Sequence, residues 1–154
     1  MLPHAILLRG GAGIGKDDFA LHLAQALLCH QAGEESACGT CSSCLWFQED
    51  AHPDFKCITP TDDSEDTASK KKTKKTQISV AQIRQLYAFL SLSTHQVQGK
   101  RIILISPAEA LNLNAANALL KMLEEPPANT LFLLVASQPQ RLLATIISRC
   151  QVLN

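Results

Sequence analysis

Ala5-Ile6-Leu7-Leu8-Arg9-Gly10-Gly11-Ala12-Gly13-Ile14-Gly15-Lys16-Asp17 is the stretch that decides the fold. A short apolar run leads into clustered glycines and a lysine. An apolar helix is predicted after it, from Phe19, Leu21, Leu23, Ala24, Ala26, Leu27 and Leu28. Strand, glycine loop and helix make up the setting of a phosphate-binding P-loop. In such a loop the glycines let backbone N–H groups close around phosphate oxygens, and the lysine reaches the terminal phosphates. Gly10, Gly13, Gly15 and Lys16 are therefore the candidate nucleotide-binding residues.

The residue after the lysine departs from the pattern. A Ser or Thr hydroxyl belongs there to bind Mg²⁺, and this chain has Asp17. A carboxylate beside a polyanion at roughly 4 Å, with an effective dielectric of about 20, is repelled by about 4 kcal/mol. The same carboxylate lies at the positive end of the following helix, where a fixed anion is favourable. It reads either as an anion standing in for phosphate or as a metal ligand.

A P-loop ATPase also needs an acid at the end of a later strand, to hold the magnesium. The matching strand is Arg101-Ile102-Ile103-Leu104-Ile105, and it runs into Ser106-Pro107-Ala108 with no carboxylate before Glu109. Both metal-holding positions are lost. ATP and Mg²⁺ are not expected to work at this site, and the P-loop is expected to be non-functional.

Cys38, Cys41 and Cys44 follow the first helix at two-residue gaps. Cys-x-x-Cys turns can aim both sulfurs at one ion, and a closed structural Zn²⁺ site wants four ligands. Cys29 is the natural fourth, with His30, His52 and Cys57 as rivals. A thioredoxin-like redox role competes with zinc for such spacing. Cys57, in an expected strand over Asp54–Ile58, reads as a buried thiol.

Composition bounds the rest. The 154 residues suffice for one compact α/β domain, and the net charge of zero argues against a polyelectrolyte for nucleic acid. There is no membrane-spanning run and no leader-like N-terminus, so a soluble, intracellular protein is expected. Residues 60–77 carry an acidic and then a lysine-rich block and predict a solvated, mobile loop. Ser79 and Gln82 form a capping-box pair opening a helix, with Val80, Ile83, Leu86, Tyr87 and Leu90 as its core face. A helix over Asn114–Glu125, a strand over Leu131–Ala136, a helix over Arg141–Ile147 and a strand over Gln151–Leu153 follow. Strands alternating with helices imply a parallel sheet covered on both faces.

Three further stretches carry a family resemblance. Asn117-Ala118-Leu119-Leu120-Lys121-Met122-Leu123-Glu124-Glu125-Pro126-Pro127 resembles the helix after the acidic strand of clamp-loader ATPases of the AAA+ class. Ser148-Arg149-Cys150 resembles their arginine-finger triplet, and Ser137 their sensor position. Cys29, Cys38, Cys41 and Cys44 match the zinc module that bacterial clamp loaders insert after the first helix, and His52-Pro53-Asp54 matches its sequel. With both metal-holding positions lost, the set most resembles the non-hydrolysing subunits of bacterial DNA polymerase III clamp loaders.

The resemblance implies a three-layer αβα P-loop NTPase fold (AAA+, RecA-like) with a parallel sheet and an inserted zinc module. It implies one AAA+ domain over 1–154, a zinc module at 29–52, and lid and collar domains in a longer protein. It implies no ATPase activity of the chain's own, but a place in a DNA-directed DNA polymerase holoenzyme, a nucleotidyltransferase of the bacterial cytoplasm. The implied partners are gamma/tau ATPases and delta in a hetero-pentamer, and through that complex the sliding clamp and primed DNA, with no membrane. Arg149 would act in trans on a neighbour's ATP, and zinc would be structural. An active gamma/tau-like ATPase and a zinc-dependent nucleic-acid-binding module are the competing functions.

Overall fold

The computed structural model describes residues 2–31, 33, 36–61, 77–92 and 99–154. Five strands form one parallel sheet: β1 (Ala5–Arg9), β2 (Phe55–Ile58), β3 (Arg101–Ile105), β4 (Thr130–Ala136) and β5 (Gln151–Leu153), in the order β2-β3-β4-β1-β5. The helices are α1 (Lys16–Leu28), α2 (Ser42–Gln48), α3 (Val80–Ser91), α4 (Leu113–Glu124) and α5 (Ala144–Ile147).

The pleat splits the apolar strand residues between two cores. Ile6, Leu8, Ile102, Leu104, Leu131, Leu133 and Val135 meet Ala20, Ala24 and Leu28 of α1. Their alternates, among them Leu7, Ile103, Ile105, Phe132 and Leu134, meet α3, α4 and Ile146 of α5. Both faces are covered, so the strands read as unbroken apolar runs instead of alternating ones. The three-layer α/β fold expected from the sequence is the one present. No helix among the described residues is long and apolar enough to cross a membrane.

The capping box at α3 is formed. Ser79 Oγ accepts from the backbone of Gln82, and the Gln82 side chain accepts from the backbone of Ser79. Gln82 Nε2 also donates to Thr59 O at 2.7 Å. The charged 60–77 segment, between 62 and 76, lies outside the described residues.

Several expectations need correction. The helix expected over Arg141–Ile147 is split into a 3-10 turn (Pro139–Arg141) and the short α5. Leu142 and Leu143 between them are extended, which drops Leu142 into the core. Helix α2, which separates Cys41 from β2, was not anticipated. Tyr87 is not core: it is 46% exposed, and its hydroxyl reaches Ala118 O of α4 at 3.5 Å. Cys57 is exposed rather than buried, on β2, one of the two edge strands of the sheet.

A buried cation ties the sheet to α3. Arg101, at the start of β3, donates to Phe89 O at 2.8 Å and to Leu92 O, the carbonyls at the end of α3. Its guanidinium lies 5.0 Å from the Phe89 ring centre, and its Nε lies 3.8 Å from the buried Asp54 carboxylate. Arg101→Met should cost about 3 kcal/mol or more in chemical denaturation, because the buried carboxylate loses its cation and α3 its C-terminal donors. A loss under about 1 kcal/mol would place the group among dispensable surface pairs.

Candidate functional site

The loop after β1 has P-loop geometry. Gly13 and Gly15 have φ of 77° and 87°, in the left-handed region that disfavours a Cβ, and Gly15 is the N-cap of α1. The buried Lys16 ammonium donates to Gly11 O at 2.5 Å, folded across its own loop.

Asp17 meets Ser106. The Ser106 hydroxyl donates to Asp17 Oδ1, so the two residues at the expected metal-holding positions are bonded to each other. In the sequence they appear as two separate losses, 89 residues apart. In the fold they are one hydrogen-bonded pair. Glu109, the first carboxylate after β3, is turned toward the end of β4. Its Oε1 accepts the backbone N–H groups of Ser137 and Gln138, at 3.0 and 3.1 Å, and clamps the end of β4. Ser137, expected from the resemblance at a sensor position, thus has its own N–H taken.

Arg149 lies at the other end of the sheet. It precedes β5, whose Gln151 pairs with Ile6 near the amino end of parallel β1, while the P-loop follows the carboxyl end of β1. The strand rise puts Gly10 roughly 13 Å beyond Ile6 along the sheet. Arg149 Nη1 donates to Thr145 O at 3.0 Å, and Nη2 to Glu124 Oε1 at 2.7 Å. Behind it Cys150 packs against the core, and burial pushes its thiol up to about 11.

The cysteines converge. The sulfurs of Cys29, Cys38, Cys41 and Cys44 all lie within 4.8 Å of one another. Cys29 and Cys41 are 3.8 Å apart, and Cys38 and Cys44 4.0 Å. Four thiolates about 2.3 Å from one tetrahedral ion stand about 3.8 Å apart, so the set can hold a metal ion with little adjustment. Backbone N–H groups already point at the sulfurs: Cys38 to Cys29 at 3.4 Å, Cys41 to Cys38 at 3.3 Å and Cys44 to Cys41 at 3.4 Å. The backbone donors of Thr40 and Cys41 hold the Cys38 thiol down to about 6, whereas burial pushes that of Cys44 up to about 12. For Cys41 burial is outweighed by the backbone of Cys44 and His30, and its pKa is lowered.

The rivals of Cys29 are elsewhere. His30 Nδ1 lies 3.5 Å from Ser42 Oγ, and Cys57 is on β2. His52 is buried in a chain of hydrogen bonds. Ser43 Oγ donates to Leu28 O at 2.6 Å and so accepts from His52 Nε2 at 2.8 Å, while Nδ1 accepts from Asp54 N at 3.0 Å. This chain ties α2 to the end of α1 and the start of β2, and so seats the cysteine cluster on the domain. Sequence reasoning missed Ser43. A serine between two cysteines carries no signal of its own.

A family model described as "DNA polymerase III, delta subunit" matches residues 1–154. The chain is 46% identical over 147 residues to DNA polymerase III subunit delta' of Pseudomonas aeruginosa, covering 96% of this chain and 41% of that protein. It is 41% identical over 152 residues to subunit delta' of Bacillus subtilis, covering 99% and 42%. DNA polymerase III subunit tau of Salmonella typhimurium is 34% identical over 150 residues, covering 97% of this chain and 21% of that one. A solved gamma subunit-related protein of DNA polymerase III from Thermotoga maritima superposes with a TM-score of 0.61 at 22% identity, over 99% of this chain and 41% of that one, which shows a shared fold. The chain thus spans about two fifths of the length of these delta' relatives.

Proposed function

The chain belongs to the family described as DNA polymerase III, delta subunit, and on that premise we propose that it is the AAA+-type part of a non-hydrolysing clamp-loader subunit. It helps assemble an ATP-driven loader with gamma/tau-type ATPases and delta in a hetero-pentamer. Through that complex it supports the placing of the sliding clamp on primed DNA, in the bacterial cytoplasm. Residues 1–154 are one AAA+ domain, with a zinc module at 29–52, and lid and collar domains are proposed for a longer protein.

The carrying observation is the Ser106–Asp17 hydrogen bond. Magnesium needs a hydroxyl from one of these positions and a carboxylate from the other. Here the identities are exchanged, and each side chain satisfies its partner. Lys16, the residue expected to reach the terminal phosphates, is folded onto Gly11 O, which supports the same reading. The tau relatives favour an active-ATPase reading, and this pair argues against it.

The isolated protein should therefore show no ATP turnover above background, and calorimetry should give no Mg²⁺-dependent ATP binding. Asp17→Thr alone should not revive turnover, because Ser106 still supplies no acid. Hydrolysis that rises with Mg²⁺ and vanishes in Lys16→Ala would overturn this reading.

Arg149 is proposed as an arginine finger on the neighbouring subunit's ATP. Its place at the amino end of the sheet supports action outside its own subunit, since the chain's own P-loop lies at the opposite end. A guanidinium supplied in trans offsets the charge that develops on the transferred phosphoryl group. Cys29, Cys38, Cys41 and Cys44 are proposed to hold one structural Zn²⁺, which would cross-link a segment with little core of its own.

A further inference from the structure

We infer that Glu124 is a positioning residue for Arg149, an inference that rests on the in-trans reading of that arginine. Glu124 Oε1 accepts from Arg149 Nη2 at 2.7 Å, joining the end of α4 to the turn before β5. Arg149 Nη1 is held at 3.0 Å by Thr145 O and at 3.4 Å by Ser148 Oγ. Ser148 Oγ itself donates to the same Thr145 carbonyl at 3.0 Å.

A guanidinium has five N–H donors in a rigid fork. Thr145 O and Ser148 Oγ both accept from Nη1, and Glu124 Oε1 accepts from Nη2. Among the described residues Nε–H has no partner, so it and the second Nη2–H are left for an incoming phosphate. Thr145 and Ser148 grip one nitrogen, which leaves the plane free to swing about it. Glu124 holds the second and fixes the plane. A group meant to meet a transition state gains most when its orientation is set beforehand.

Two observations argue that this carboxylate is not there for stability. The pair is solvent-accessible, with side-chain exposures of 34% for Arg149 and 52% for Glu124, and exposed ion pairs contribute little to folding. Glu124 is also the last residue of α4, where the helix dipole disfavours an anion. A residue that breaks a local rule without a gain in stability marks a functional position. Pro126-Pro127 just beyond cannot continue the helix, so the carboxylate stands at a defined end.

The test uses a loader rebuilt from full-length subunits, with ATPase sites other than the adjoining one disabled. Glu124→Ala should lower kcat at that site about tenfold, with KM for ATP and the melting temperature unchanged. Glu124→Gln should stay within about twofold of normal, because its amide oxygen accepts the same hydrogen bond. In an Arg149→Ala background, Glu124→Ala should have no further effect. If Arg149→Ala slows the site and Glu124→Ala does not, Glu124 is a bystander and the inference fails alone. A faster Glu124→Ala loader would mean that the carboxylate restrains the arginine, which also overturns it. If Arg149→Ala itself runs at the normal rate, the in-trans reading falls and takes this inference with it.

Discussion

Arg149→Ala, placed in a loader of full-length subunits, is expected to slow ATP hydrolysis at the adjoining site by about 10³-fold or more, the usual worth of an arginine finger. Folding and metal content should be unchanged. Among the described residues the half-exposed side chain bonds at the surface, to Glu124, Thr145 and Ser148, and such contacts contribute little to stability. Arg149→Lys should rescue poorly, since an ammonium lacks the planar fork that spans two phosphate oxygens. Clamp loading should slow along with hydrolysis. The geometry constrains the interpretation, because Arg149 and the P-loop are at opposite ends of parallel neighbouring strands. A defect seen only in the assembled complex is therefore a defect in a neighbour's site. Normal clamp loading by the alanine variant would remove Arg149 from the mechanism.

The fold was legible where short-range patterning and burial agree. The unbroken apolar runs of β1, β3 and β4 mark strands covered on both faces, and the positive-φ glycines of the loop require what the motif implies. Capping chemistry placed the start of α3 correctly, because a capping box is a local bond. Misreadings came where tertiary placement overrides pattern. Tyr87 keeps helical spacing with Ile83 and Leu90, yet its ring lies on the rim between α3 and α4. Cys57 sits in a real strand, but strand order makes that strand an edge, and no sequence period reports strand order. Leu142 and Ile146, four apart, suggest one helical face, and the chain instead buries both across a break.

The candidate sites divide in the same way. The cysteine spacing announced a four-sulfur cluster, and the sulfurs do converge. The departures at the expected magnesium-holding positions were visible as two anomalies, but their mutual hydrogen bond was not, because nothing in a linear chain says that residues 17 and 106 meet. Glu124 and Ser43 were invisible for the same reason. Each gains its role from a partner that only the fold supplies.

Protein purified without added metal is expected to carry one equivalent of zinc, and removing that zinc should unravel the segment from Cys29 to His52 while leaving the sheet folded. Helix α2 is short, and Ser43 and Cys44 are its fully buried residues. Such a segment has little apolar area to offset its chain entropy. A tetrathiolate site can supply the difference, since structural zinc contributes apparent folding energies of about 10–16 kcal/mol in small zinc peptides. Chelation should abolish amide protection in α2 and in the turns at Cys38 and Cys41, with protection in β1, β3 and β4 retained. Acid should act in the same direction, because each thiolate must take up a proton to release the ion, so affinity falls as pH falls. Cys29→Ala should lose most of the metal, since its sulfur lies 3.8 Å from that of Cys41 and completes the tetrahedron. Two results would sink this account. Less than about half an equivalent in the wild-type protein would leave the cluster as four thiols, and full occupancy in Cys29→Ala would hand the fourth position to another ligand.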